Sequence, residues 1–265
     1  MKQLVFILFI GLMTCMFMFD SNGYAEWEFG IGTGIARLKI DGEMGFDSNL
    51  ANGPVQFDVK LDPEDFDDLI DTAIGFGGYA TDGTFLIQYS YGNMQLEGRE
   101  SAPVAATGER ISARIDFDIT QAELTLGYPV YKTSSVNILV DGGLRYIKHE
   151  FEGRLRLTDA GGAVIGGRDR DFDHDWTDII VGAIINVPFA EKWSWNNRLN
   201  AGFGGSEGTY FASTGVTWRF HKNWSVGVVG KYAAVDYEND SKGDRDWYLY
   251  DVDESSLGLN VLFIF

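Results

Sequence analysis

Large apolar residues recur at every second position over much of the chain, in runs of roughly ten residues broken by turn chemistry. The last ten residues, SLGLNVLFIF, show it most plainly. Leu257, Leu259, Val261, Phe263 and Phe265 hold one parity, and strand side chains of one parity share one face. Ten such segments are expected as strands: 27–37, 70–80, 84–93, 111–128, 136–157, 177–189, 193–203, 210–220, 224–237 and 256–265. The count falls to eight if the seventh and eighth do not form a hairpin. In the fourth, the apolar phase slips near Thr120, from Ile115, Phe117 and Ile119 to Ala122, Leu124 and Leu126, which predicts a β-bulge there. Connectors 81–83, 131–135, 191–192 and 221–223 are tight. Segments 42–68, 100–110, 158–176 and 239–252 are long and rich in Asp and Gly, with 204–209 the one short member of that set. In the first long segment, Asp62-Pro63-Glu64-Asp65 has the chemistry of a helix start, so a helix of one or two turns is expected before the second strand, with Phe66, Leu69 and Ile70 as its apolar face.

Composition says what covers the apolar faces. The chain has 33 Gly, 7 Trp, 12 Tyr and 19 Phe but only 5 Pro. Residues 4–19 are apolar, broken only by Gly11 and Thr14, and lead through Asp20-Ser21-Asn22 to Gly23-Tyr24-Ala25. A positive start, an apolar core and small residues before Glu26 predict a secretory signal peptide, 1–25, removed on export. The single cysteine, Cys15, lies within it, behind a Thr14 that a lipidation signal would not place there. The mature domain, 26–265, then has no thiol or disulfide. Its net charge stays near the −18 of the whole chain, since cleavage removes one Lys and one Asp. That charge argues against nucleic acid as a partner. Beyond the leader no run is apolar and long enough for a membrane helix.

Aromatics collect at the ends of the segments. Tyr128, Phe189, Trp193, Trp195, Trp218, Phe220, Trp224 and Phe265 lie near the tight turns. Tyr91, Tyr146, Trp176, Tyr210 and Tyr237 lie near the long connectors. Two girdles around an aliphatic band are what lipid interfaces select. In a soluble sandwich the face opposite the apolar one would be charged; here it is mostly Gly, Ser, Thr and Asn. The expectation is an all-β, transmembrane, antiparallel up-and-down β-barrel in the outer membrane of a Gram-negative bacterium, a single domain and a monomer. Both termini would be periplasmic and the long loops extracellular.

The ending, with Leu259, Val261, Phe263 and terminal Phe265, resembles the C-terminal signal read by the barrel-assembly machinery of Gram-negative bacteria. The phrases FDVKLDPEDFDDLIDTAIGFGGY (57–79), GGLRYIKHEF (142–151), WTDIIVGAIINVPF (176–189), NAGFGGSEGTYF (200–211) and GKYAAVDYE (230–238) resemble a widespread, largely uncharacterised family of small outer-membrane barrel proteins. The resemblance spans most of 57–265 and departs at Lys231, where that family's phrase has Arg. It implies fold and location, with no reaction.

The parity that faces away from lipid carries Glu28, Gln88, Gln121, Glu123, Asp141, Arg145, Asp178, Arg198 and Lys231 among many glycines. Charges of both signs in a narrow barrel should pair, because an unpaired buried charge is costly. Glu123, Asp141, Arg145, Arg198 and Lys231 are therefore expected to form a lumen charge network, either a structural plug or the lining of a narrow polar pore. The string RDRDFDHDW (168–176) puts Asp169, Asp171, Asp173 and Asp175 on one face. This is a candidate for Ca²⁺ or Mg²⁺, though it lacks the Gly and Glu of an EF-hand loop. Of His149, His174 and His221, the last lies in a tight turn and His149 has no Ser or Asp partner at readable spacing; nothing marks a nucleophile, and no motif of the outer-membrane lipases or proteases is matched. No cofactor is expected. The reading is a structural or interaction barrel, with a passive solute channel as the alternative and a lipid-modifying enzyme third. Outer-membrane lipids and lipopolysaccharide, whose phosphates divalent cations could bridge to the acidic loops, are its expected partners.

Overall fold

The structure is a computed structural model and describes residues 27–48, 53–103, 110–244 and 246–265. The predicted leader with Cys15 lies outside them, as do the side chains of Phe66 and Ile70. In chain order the elements are β1 (Glu28–Ser48), β2 (Gly53–Leu61), α1 (Pro63–Leu69), β3 (Ile70–Thr81), β4 (Leu86–Pro103), β5 (Arg110–Lys132), β6 (Asn137–Thr158), β7 (Val164–Ala190), β8 (Trp193–Phe203), β9 (Gly208–His221), β10 (Trp224–Asn239) and β11 (Tyr248–Ile264). Every sheet pairing is antiparallel between neighbours, and β11 pairs back onto β1 to close the ring. Phe265 and Phe29 complete the seam by exchanging backbone hydrogen bonds of 2.9 and 3.0 Å.

The strand count is eleven rather than ten. β1 is long enough to take two partners in succession: its Ile40–Ser48 stretch pairs with β2, and its Glu28–Thr33 stretch with β3. These two strands share one place in the ring, with the seven-residue α1 between them. Pro63 begins α1, and the Asp65 carboxylate reaches back 2.8 Å to accept from the Asp62 backbone N–H, one half of a capping box.

The long connectors expected from the sequence are mostly strand. Residues 42–48, 53–61, 164–176 and 248–252 all lie in the sheet. β5, β6 and β7 run 23, 22 and 27 residues, about twice what a tilted strand needs to cross a bilayer, whereas β8 has 11. The wall is tall at β4–β7 and low at the β8–β9 hairpin.

That height explains a second correction. β5 pairs with β6 without interruption from Arg110 to Pro129, so there is no bulge at Thr120; the irregularity comes later, at Pro129–Tyr131. The apolar phase changes because the apolar face changes sides. Low on the barrel, Leu124 and Leu126 point outward and are left open. Higher on the same strand, Phe117 points inward onto a packed core. The same inversion runs from Val140 and Leu144 to Ile147 on β6, and from Ile179 and Val181 to Trp176 on β7. It recurs from Val228 to Val235 on β10, and from Leu257 and Leu259 to Val252 on β11. Where the outside is lipid, apolar side chains face out; above that level the outside is water, and they turn in. Trp176 and Tyr237, expected in an outer girdle, stack inside instead, ring centres 4.0 Å apart.

Candidate functional site: a charged lumen beneath an aromatic plug

Inward-facing charges from four strands meet at mid-barrel. Glu123 stands directly across from Arg145 on β6, and Arg145 across from Asp178 on β7, so one row carries all three into the lumen. Arg145 donates to Glu123 at 2.7 and 2.9 Å and to the Asn200 side chain at 3.0 Å. Arg198 donates to Asp141 at 2.6 and 3.0 Å and also to Glu123. The Asp178 carboxylate accepts from the Gly205 and Ser206 backbone at 3.1 and 2.8 Å and from the Ser206 and Thr209 hydroxyls. It thereby anchors the low β8–β9 turn inside the wall. Gly182 makes room for the cluster, since a Cβ there would stand 2.8 Å from the Asp141 carboxylate and 2.7 Å from Asn200.

The structure brings four of the five expected network residues into contact: Glu123, Asp141, Arg145 and Arg198. Lys231 faces the same lumen, opposite Ser213 and Ser256, but forms no ion pair among the described residues. Glu28 is separate, near the tight-turn end, where it accepts from Tyr79 at 2.5 Å and Arg219 at 3.2 Å. Gln121 stays open to lumen space. The paired charges crowd the β5–β8 side, and the facing wall of β1, β3 and β4 is lined by Gly34, Gly75, Gly77 and Gly92.

Above this level the lumen is filled. Ile40, Leu96, Ile147, Trp176, Val235, Tyr237, Tyr248, Tyr250 and Val252 form one buried cluster. His149 sits within it, its Nδ1 2.8 Å from the Tyr248 hydroxyl and its ring edge-on to Trp176, Phe117 and Tyr250 at 5.1, 5.2 and 4.5 Å. Burial pushes the His149 imidazole down to about 3, so it is neutral, and pushes the Tyr248 phenol well up. His174, stacked on Tyr248 at 4.7 Å, is also lowered by burial. Sequence reasoning missed this plug. Its signal was the phase slip itself, repeated on five strands.

The four aspartates of 168–176 do share a face, the outer face of β7, pointing away from lumen and plug. Asp169 accepts from Arg156 at 2.8 Å, and Asp173 lies 3.5 Å from Lys148. Among the described residues no group of three or more His, Cys, Asp or Glu is arranged to hold a metal ion. Alternate charges along the open upper edge of β7 are a common guard against unwanted strand pairing. At the C-terminus, Leu259, Val261 and Phe265 face outward, and Phe263 stacks with Phe265 and tilts against Trp224.

No family model matches the chain, and no curated protein sequence matches it. Among solved structures it is similar to the outer membrane protease OmpT from Escherichia coli, with a TM-score of 0.57 at 9% identity, covering 94% of this chain and 99% of that one. It is also similar to the translocator domain of autotransporter NalP from Neisseria meningitidis (TM-score 0.40, 12% identity, 97% and 95% covered). A third is Ail, the attachment invasion locus protein of Yersinia pestis (TM-score 0.33, 12% identity, 91% and 99% covered). The chain has the fold of an outer-membrane β-barrel. At these identities the likeness is one of fold, and the roles of such barrels differ.

Proposed function

We propose that this chain is an exported outer-membrane barrel of a Gram-negative bacterium that acts as a structural or interaction protein at the cell surface rather than as a solute channel. The observation that carries this reading is the aromatic plug, nine buried side chains with others packed against them across the upper lumen. In this reading β2 and β3 count as one crossing, giving ten; both termini are periplasmic, and the tall walls of β4–β7 stand outside the cell. The lower outward face meets lipid, the acidic face above it meets lipopolysaccharide, and Leu259, Val261, Phe263 and Phe265 address the chain to the assembly machinery. It works as a monomer without a cofactor. Among the described residues nothing in the lumen is arranged as a nucleophile with its base, His149 having a phenol as partner in a site closed to water.

The passive channel is the second reading, favoured by the glycine-lined side of the lower lumen and by the unpaired Lys231. Planar-bilayer conductance separates the two. The wild-type protein should be silent, and Trp176→Ala combined with Tyr237→Ala should open it. Steady conductance from the wild-type protein would replace the first reading with the second.

A further inference from the structure

Above the plug, the inner faces of the tall walls form an open mouth that the lumen network does not reach. Gly98, Ile115, Gly153 and Arg170 stand directly across from one another on β4, β5, β6 and β7. One row deeper, Leu96, Phe117, Phe151 and Phe172 make a floor, which Phe46 of β1 completes from the far side at 5.4 Å from Phe151 and 5.5 Å from Phe172. Gly153 gives the Phe151 ring room to lean over the wall, 3.0 Å from where a Cβ would stand, and at Gly98 the Leu69 side chain of α1 closes in at 3.7 Å. Three large apolar side chains on these inner faces stay open to water: Ile115 at 47%, Phe57 at 42% and Leu155 at 36%. Apolar surface of this kind, concave and facing inward, is what a ligand pocket presents.

Arg170 is a polar group of this mouth, with Arg168 one row up on the same face, across from Leu155. The chain holds 39 Asp and Glu against 21 Lys and Arg, and Arg114, Arg145, Arg154, Arg156, Arg198 and Arg219 all pair with carboxylates. Arg170 does not, among the described residues. Its guanidinium lies 5.9 Å from the Phe172 ring centre, and its Nε is buried with no hydrogen-bond partner. The neighbouring aspartates of β7 point to the opposite face and cannot serve it. A buried donor left unpaired is costly, and a guanidinium fork matches a carboxylate.

We propose that this mouth binds a small organic carboxylate with an apolar body, the body on the Phe117–Phe151–Phe172 floor and the carboxylate on Arg170. A guanidinium above an apolar floor suits a monoanion with an apolar body, and the acidic outer walls repel polyanions.

The test uses the full barrel in phosphatidylcholine nanodiscs, titrated with 1-naphthoate and followed by calorimetry. Saturable one-to-one binding is expected, with the neutral analogue 1-naphthylmethanol about tenfold weaker or worse. Arg170→Gln should erase that preference by weakening naphthoate about tenfold while leaving naphthylmethanol unchanged. Ile115→Glu, at an open position across Gly153 from Arg170, supplies an internal carboxylate and should abolish naphthoate binding with Arg170 still in place. It also keeps the test decisive if Arg170→Gln fails to fold. Absence of saturable binding at millimolar naphthoate, or equal affinity in the wild type and either folded variant, overturns the proposal.

Discussion

Acid should loosen the plug through one residue. His149 is fully enclosed by Trp176, Phe117, Tyr248 and Tyr250, and burial holds its imidazole at about 3 against an ordinary 6.5. The folded barrel therefore binds fewer protons here than the unfolded chain does. The neutral side chain costs nothing above pH 6.5, and stability falls as the pH drops from 6.5 towards 3, levelling off below. A fall from 6.5 to about 3 corresponds to about 5 kcal/mol over the whole window. At pH 4 roughly 3 kcal/mol of it should already be gone. Other groups titrate too, so the comparison is with His149→Gln, which cannot charge yet still offers Tyr248 a partner. Urea unfolding in phospholipid vesicles, followed by tryptophan fluorescence at pH 7.5 and pH 4, reads both proteins. The wild type should lose about 3 kcal/mol more than the variant on acidification. Parallel losses would refute the argument, because they would mean that water reaches the imidazole. His174→Gln, at a half-buried site nearer the surface, should restore much less of the acid stability.

Three further outcomes test other levels of the structure. Leu124→Arg, on the outward face within the lipid band, should cost about 2–4 kcal/mol in bilayer unfolding, while Thr120→Arg, outward but above the inversion, should cost only about 1 kcal/mol for the lost 2.9 Å hydrogen bond from Asn93. Arg145→Met leaves Glu123 with one partner and Asn200 with none; it should cost about 3–5 kcal/mol in urea. Adding Glu123→Gln should cost less than the sum of the two single changes. Phe265→Ala removes ring contacts to Phe29 and Phe263 at 5.7 and 5.9 Å and should lower the yield of heat-modifiable barrel in outer-membrane fractions, while refolding in detergent still succeeds.

The period-two pattern was enough to expect an all-β barrel, because lipid selects one parity of each strand and no other residue is needed to say so. Leu257, Leu259 and Val261 face outward as their own alternation requires. The partners of Glu123 and Arg145 were also foreseeable, since charges confined to a narrow lumen have few places to go. The pattern becomes ambiguous where the solvent changes along a strand. Ile115, Phe117 and Ile119 keep perfect alternation with the opposite parity, and a single strand cannot tell a bulge from a change of outside medium. Segments 158–176 and 239–252 have the long, Asp- and Gly-rich composition of loops, yet a strand standing in water tolerates it.

What the chain alone determined, then, is a set of faces: which parity is apolar, where it flips, and how many charges must be kept from lipid. Only the closed ring decided what each face meets. His149 and Tyr248 are 99 residues apart, and the mouth around Arg170 is drawn from four strands. Their contact depends on the register of every ladder between them and on the circumference of the barrel, quantities that no local pattern of residues contains.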